Sequence, residues 1–166
     1  MNKTSYSIHK ELHKYFIENK LTLASVESIT GGLFASSIID LPGASAFFRG
    51  ALVPYANDVK ESVLGVSTDE IELVGVVSSE VARKMAIKGQ HILGADVCIS
   101  FTGNSGPSPM EGKPVGLVYI CIVYKNRKMD HSVFLTGSRN KIRKDLVIIG
   151  KSLILDFLKE NKQLAY

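Results

Sequence analysis

The segment Glu27-Ser28-Ile29-Thr30-Gly31-Gly32 is where residue types and spacing in this chain could do chemistry. It follows a run that reads as a strand, LTLASVE, and opens one that reads as a helix. A hydroxyl at the C-terminal end of a strand can serve as a nucleophile, and glycines beside it let the backbone approach a ligand closely. The first-turn N–H groups of a helix are donors at its positive end, suited to an oxyanion or a phosphate. A plain Ser/Thr helix cap with small residues for packing is the simpler reading of the segment taken alone.

Other patterns carry less chemistry. His9 and His13 stand four apart in HKELH, but the zinc-protease pattern places Glu directly after the first His, and here Glu11 is two places on. No third ligand suggests itself, so no metal is expected. The loop GPSPMEGK (106–113) has five residues between Gly106 and Gly112, and Pro114 follows Lys113, so it does not make a phosphate-binding P-loop. The S-x-x-K strings at Ser7–Lys10 and Ser138–Lys141 are expected by chance in a chain this rich in both residues. Cys98 and Cys121 each lie in an apolar, β-branched run and read as buried free thiols, with no CxxC and no disulfide framework. No cofactor motif is present.

The elements that must hold Ser28 follow from periodicity. A helix over 6–19 places Ile8, Leu12, Tyr15, Phe16 and Ile17 on one stripe. After the strand 21–27, residues 30–40 read as a helix stopped by LPG, and 47–56 as an extended run with Pro54 marking an edge or strand end. A short helix spans 57–65, and a longer one begins at Ser78 or Ser79 and ends before Gly94. ADVCISFT (95–102) is a buried strand, 103–114 a loop, and 115–136 a hairpin around KNRK, before a last helix over about 138–159. Alternating helices and strands with a hairpin in the second half predict an α/β domain, a mixed central sheet with helices on both faces.

Composition sets the bounds. The 166 residues are 45% hydrophobic and 22% charged, enough for one domain over 1–166 whose core needs no disulfide or metal. No apolar run approaches the ~20 residues that cross a bilayer. The N-terminal MNKTSYSIHKELHK lacks a signal-peptide apolar stretch, so a cytoplasmic location is expected. The net charge is +4, and its positive excess sits in 125–144, where Lys125, Arg127, Lys128, Arg139, Lys141, Arg143 and Lys144 face Asp130 alone. Nucleic acid or a single phosphate could use such a stretch. Aromatic content of 8%, no Trp and no nucleic-acid-binding motif argue against nucleic acid.

Read in order, the motifs resemble a known family. ASVESITGGLFASSIIDLPGASAFF is similar to the AESCTGG…PGSS opening of the CinA C-terminal-domain family. The likeness continues through GALVPYANDVKESVLGV, VVSSEVARKMAIKGQ, ADVCISFTGNSGP…EGKPVGLVYI and TGSRNKIR, roughly residues 20–145 at near-constant spacing. The resemblance implies a three-layer α/β/α sandwich. It implies hydrolysis of nicotinamide mononucleotide to nicotinic acid mononucleotide and ammonia, without a cofactor. It implies Ser28 as nucleophile with Tyr55 and Lys60 as its partners, and a nucleotide substrate as the partner of the site. It places ligand contacts at Thr30, Gly31, Gly32, Gly43, Thr102, Asn104 and Arg139, and it implies a homodimer. A serine needs a base, which Lys60 supplies if burial lowers its pKa, while Tyr55 would relay the proton or orient the serine. Arg139 would take the 5′-phosphate through paired hydrogen bonds.

The chain departs from the family pattern at Ile29, Pro54, Ala56, Asn104-Ser105-Gly106 and Ser138, and its loop to Lys113 is one residue shorter. Several of these lie in ligand-binding loops. An amidase for another small carboxamide and a non-catalytic nucleotide-binding module of the same fold therefore stay open beside the first reading.

Overall fold

The computed structural model describes residues 3–163. Its elements are α1 (Lys3–Asn19), β1 (Leu23–Glu27), α2 (Leu33–Ile38), β2 (Phe48–Leu52), α3 (Asn57–Leu64), α4 (Thr68–Val74), α5 (Ser79–Leu93), β3 (Val97–Gly103), β4 (Leu117–Tyr124), β5 (Arg127–Phe134) and α6 (Arg139–Gln163). A 3₁₀ turn at Ala44–Ala46 precedes β2. The five strands lie in the order β2-β1-β3-β4-β5, with β2, β1 and β3 parallel and β3, β4 and β5 antiparallel. The sheet is therefore mixed, as the alternation of helices with one hairpin required.

Strand periodicity divides the core into two layers. On one face Val97, Ile99 and Phe101 of β3 pack with Leu12 and Phe16 of α1, Phe34 and Ile38 of α2, and Ile142, Leu146 and Ile154 of α6. On the other, Ala24, Val26, Cys98 and Cys121 meet Leu64 of α3, Ile71 of α4, and Val81, Met85 and Ala86 of α5. The result is the three-layer α/β/α sandwich. Gly89 lets α5 lie close to the sheet, since a Cβ there would fall 2.1 Å from Val26 Cγ2. Both cysteines are free and fully buried, as their apolar neighbours suggested, and burial pushes both thiols up.

Several local expectations are corrected. Ile17 is exposed, because the buried stripe of α1 is narrow and the residue after Phe16 already points away from it. The helix expected from residue 30 starts at Leu33, since Gly31 (φ +58°) and Gly32 (φ +89°) take the left-handed conformation and hold 29–32 in turns. The extended run ends at Leu52, not residue 56. The hairpin turn is only Lys125-Asn126, with Tyr124 paired to Arg127. The short helix α4 has no counterpart in the expectations.

The His9–His13 pair is structural. Both imidazoles are buried with their Nε2 atoms 3.1 Å apart, and they contact the Ile38 carbonyl at 3.3 and 2.8 Å, respectively. Among the described residues no group of three potential ligands could hold a metal, and no helix is long and apolar enough to cross a membrane.

Candidate active site

The C-terminal ends of β1 and β3 lie side by side, Glu27 opposite Phe101. The chain leaves β1 toward β2 on one side and β3 toward β4 on the other, so their ends frame the crevice where open α/β sheets bind ligands. A cleft of about 390 Å³ opens there. It is lined by Ser28 after β1, by Tyr55 just before α3 and Lys60 within it, by Thr102 and Asn104 at the end of β3, and by Arg139 at the start of α6. Four segments far apart in sequence thus converge on one cavity.

Ser28 is half-buried, and its N–H donates to Phe101 O at 3.0 Å, which ties it to β3. Lys60 lies on the inner face of α3 one turn before the buried Leu64, and is itself 1% exposed. Its Nζ donates to the main-chain oxygen of Tyr55 at 2.8 Å. Burial lowers the pKa of Lys60 from the usual lysine range, partly opposed by the carboxylate of Glu111. Among the described residues no hydrogen bond joins Ser28 Oγ to Lys60 or Tyr55.

Tyr55 is divided between two partners. Its carbonyl holds Lys60, while its exposed hydroxyl accepts from Arg139 Nη2 at 3.0 Å. Arg139 also donates through Nη1 to Gly106 O at 2.8 Å, so this side chain bridges the 53–57 segment and the 104–113 loop. Asn104 spends its side chain on the same loop, donating to Ser108 O and Lys113 O and accepting from Gly106 N. Thr102 Oγ1 donates to Val76 O at 2.6 Å. Both residues line the cleft, and their hydrogen bonds in this structure shape its floor.

Thr30, Gly31, Gly32 and Gly43 do not line the cleft. Thr30 is fully buried, Gly31 and Gly32 form the turns into α2, and Gly43 opens the 3₁₀ turn before β2. The helix donors expected to face a ligand are also taken. Glu27, fully buried, accepts from Phe34 N at 3.0 Å and Ala35 N at 2.8 Å, so the carboxylate of this chain caps α2. Ser25 Oγ supports the same carboxylate at 3.1 Å. Within the 28–33 turns, Gly31 N bonds Ser28 O and Leu33 N bonds Thr30 O. The N–H of Ile29, a cleft-lining residue, has no acceptor among the described residues.

Two further contributors were not among the site residues expected from the sequence. Glu111 accepts from Val76 N at 3.0 Å and Val77 N at 3.4 Å, docking the 104–113 loop onto the segment before α5. Arg143 donates to Thr30 O at 2.8 Å; its spacing of four from Arg139 on a helix was the available clue. The residues lining the cleft include an amine and a guanidinium but no Asp or Glu, a lining suited to an anionic ligand.

Fold and cleft together define a class: an α/β/α domain with a small-ligand cleft at the ends of two parallel strands, holding a hydroxyl, a buried amine and a guanidinium. The model of the CinA C-terminal domain family matches residues 5–158, and the chain belongs to that family. A Bacillus velezensis protein described as competence-damage inducible is 42% identical over 152 residues, covering 92% of this chain but 36% of the relative. The chain thus spans little more than a third of that relative's length. The Mycoplasma pneumoniae protein called MG115 homolog is 39% identical over 128 residues, covering 76% of this chain and 82% of its own length. The crystal structure of a CinA superfamily protein from Escherichia coli superposes with a TM-score of 0.90 at 26% identity, covering 95% of this chain and 93% of that one.

Proposed function

We propose that this domain is a metal-independent amidohydrolase that converts nicotinamide mononucleotide and water to nicotinic acid mononucleotide and ammonia. The observation that carries the reading is Lys60: a fully buried amine, its pKa lowered by burial, in the same cleft as the hydroxyl of Ser28. An amine whose pKa burial has lowered gives up its own proton more readily than an exposed lysine, and so can take one from a nucleophile.

The steps follow from these groups. Ser28 Oγ attacks the carboxamide carbon while its proton passes to Lys60 Nζ, and the carbonyl oxygen becomes an oxyanion, for which the Ile29 N–H is a donor at hand. The C–N bond then breaks as Lys60 returns the proton to the amide nitrogen, and ammonia leaves. Water attacks the resulting ester, giving its proton to Lys60, and Ser28 departs with that proton as the acid forms. Ser28 and Lys60 have no mutual hydrogen bond in the free protein, so the attack requires them to close to hydrogen-bond reach when substrate fills the cleft. Arg139 would hold the 5′-phosphate with the guanidinium donors left after its bonds to Tyr55 and Gly106. A cytoplasmic homodimer without nucleic acid completes the proposal.

Purified protein incubated with chelator and nicotinamide mononucleotide tests it directly. Ammonia released by wild type and absent with Ser28→Ala supports the reading; no release, or equal release by the variant, refutes it. The missing Ser28–Lys60 bond favours a second reading, a nucleotide-binding module without catalysis, which predicts saturable binding of the mononucleotide and no turnover. A panel of small carboxamides decides whether the departures at 104–106 and 138 have moved the substrate.

A further inference from the structure

The loop that carries Ser28 runs from the end of β1 to the start of α2. Its geometry rests on ties to other elements. Ser28 N reaches Phe101 O on β3, and the Glu27 carboxylate reaches Phe34 N and Ala35 N at the start of α2. The far end of the turn, Thr30, is fully buried, yet its Oγ1 has no hydrogen-bond partner among the described residues. A buried hydroxyl without a partner cannot anchor its own residue, so the anchoring of Thr30 falls to its carbonyl.

That carbonyl accepts a charged donor from across the molecule. Arg143 Nη2 on α6 lies 2.8 Å from Thr30 O, which also accepts from Leu33 N at 3.2 Å. The guanidinium rests against the turn as well: a Cβ placed at Gly31, whose φ is +58°, would lie 3.4 Å from Arg143 Nη2. Arg143 stands one helical turn from Arg139, which bridges the other two segments of the cleft through Gly106 O and Tyr55 Oη. The first two turns of α6 therefore grip all three loops of the site, and Arg143 grips the one that bears the nucleophile. A hydrogen bond from a fixed planar guanidinium to a buried carbonyl is both stronger and more directional than one from a neutral donor.

We propose that Arg143 is a positioning residue for Ser28, holding the 28–32 turn in register with the cleft through Thr30 O. The proposal rests on the amidase reading for its catalytic consequence, though not for the clamp itself. Without the guanidinium the turn keeps its local bonds but loses its tie to α6, and the Ser28 hydroxyl samples positions away from the carboxamide. Misplacing a nucleophile in this way lowers kcat and leaves ground-state binding at Arg139 largely unchanged.

The test compares wild type with Arg143→Met and Arg143→Lys by amide hydrogen exchange and by ammonia release. In Arg143→Met the amides of Gly31 and Leu33, whose bonds define the turn, should exchange about tenfold faster or more, while those of β3, β4 and α5 keep their protection. In the same variant kcat should fall about tenfold or more with KM within about twofold, and added guanidinium ion should restore part of the loss. Arg143→Lys, which keeps a charge but not the planar fork, should lie between the two. Unchanged exchange at Gly31 and Leu33 overturns the proposal. So does a loss of protection spread evenly over the sheet, or a drop in kcat that guanidinium leaves untouched while the turn stays protected. If wild type releases no ammonia, the amidase reading fails by itself, and the exchange data still decide whether Arg143 clamps the turn.

Discussion

The amine of Lys60 is held 2.8 Å from the main-chain oxygen of Tyr55, not by the phenol of that residue. The phenol instead receives Arg139, whose other arm reaches Gly106 O. Tyr55 therefore joins the proposed base to the proposed phosphate clamp through its backbone and its side chain separately. This division changes what each substitution should do.

Tyr55→Phe keeps the carbonyl that holds Lys60 and removes only the contact to Arg139. Its kcat on nicotinamide mononucleotide should stay within about threefold of wild type, with the change appearing mainly in KM. A hydroxyl that relays the nucleophile's proton would instead cost about 10²–10⁴ in kcat, and steady-state kinetics of the variant separates the two outcomes.

Lys60→Met should abolish ammonia release without unfolding the protein. A buried amine is costly to desolvate, so an apolar side chain of similar length should leave the melting temperature unchanged or raised. In wild type, kcat should rise with pH through an apparent pKa below the ordinary lysine value of ~10.4, because burial favours the neutral amine. A profile flat between pH 6 and 9.5, with no such ascending limb, removes Lys60 as the base.

Glu27→Ala strips the cap from α2. It leaves the N–H groups of Phe34 and Ala35 without their buried acceptor, at a cost of about 2–4 kcal/mol. Urea unfolding should show the loss at unchanged m-value. A loss below about 0.5 kcal/mol would mean that water replaces the carboxylate there.

Stability should fall on mild acidification because of His9 and His13. Burial, reinforced by nearby Lys151, lowers the His9 pKa to about 4 and lowers that of His13 as well. Asp40 near His9 and the Ile38 carbonyl oppose the shift. The unfolded chain, with histidine pKa near ~6.5, then binds more protons than the native state. The stability is therefore complete above about pH 6.5 and is lost progressively as pH falls towards about 4, by about 3 kcal/mol for His9. Urea midpoints measured from pH 7.5 to 4.5 should show this slope, and a His9→Leu/His13→Leu double variant should flatten it. An equal slope in both proteins would assign the acid sensitivity to other groups.

Much of the sandwich was legible in the chain because its signals are local. The strands 23–27 and 97–103 are short apolar runs, the 79–93 helix has Ser78 as its cap and Gly94 at its end, and the hairpin is marked by two β-rich runs around a turn. The errors fell where tertiary contacts override local preference. The two left-handed glycines delay α2 to Leu33, and α4 forms in a short segment that packs Ile71 and Val74 against the core.

Ser28 could be singled out from its place after a strand and before two glycines, whereas Tyr55, Lys60, Thr102, Asn104 and Arg139 became candidates only through the ordered motifs that resemble the CinA family, which also pointed to Thr30, Gly31, Gly32 and Gly43 outside the cleft. What only the tertiary structure decided is how they are used: that Lys60 is buried, that Tyr55 faces Arg139, that Glu27 occupies the donors of α2 and that Arg143 reaches Thr30. Burial and hydrogen-bond partnership depend on which distant segments meet, as with Arg143 and Thr30, 113 positions apart. A linear sequence fixes which groups exist, but a group's charge, reach and competing partners are set by the three-dimensional surroundings that folding assembles.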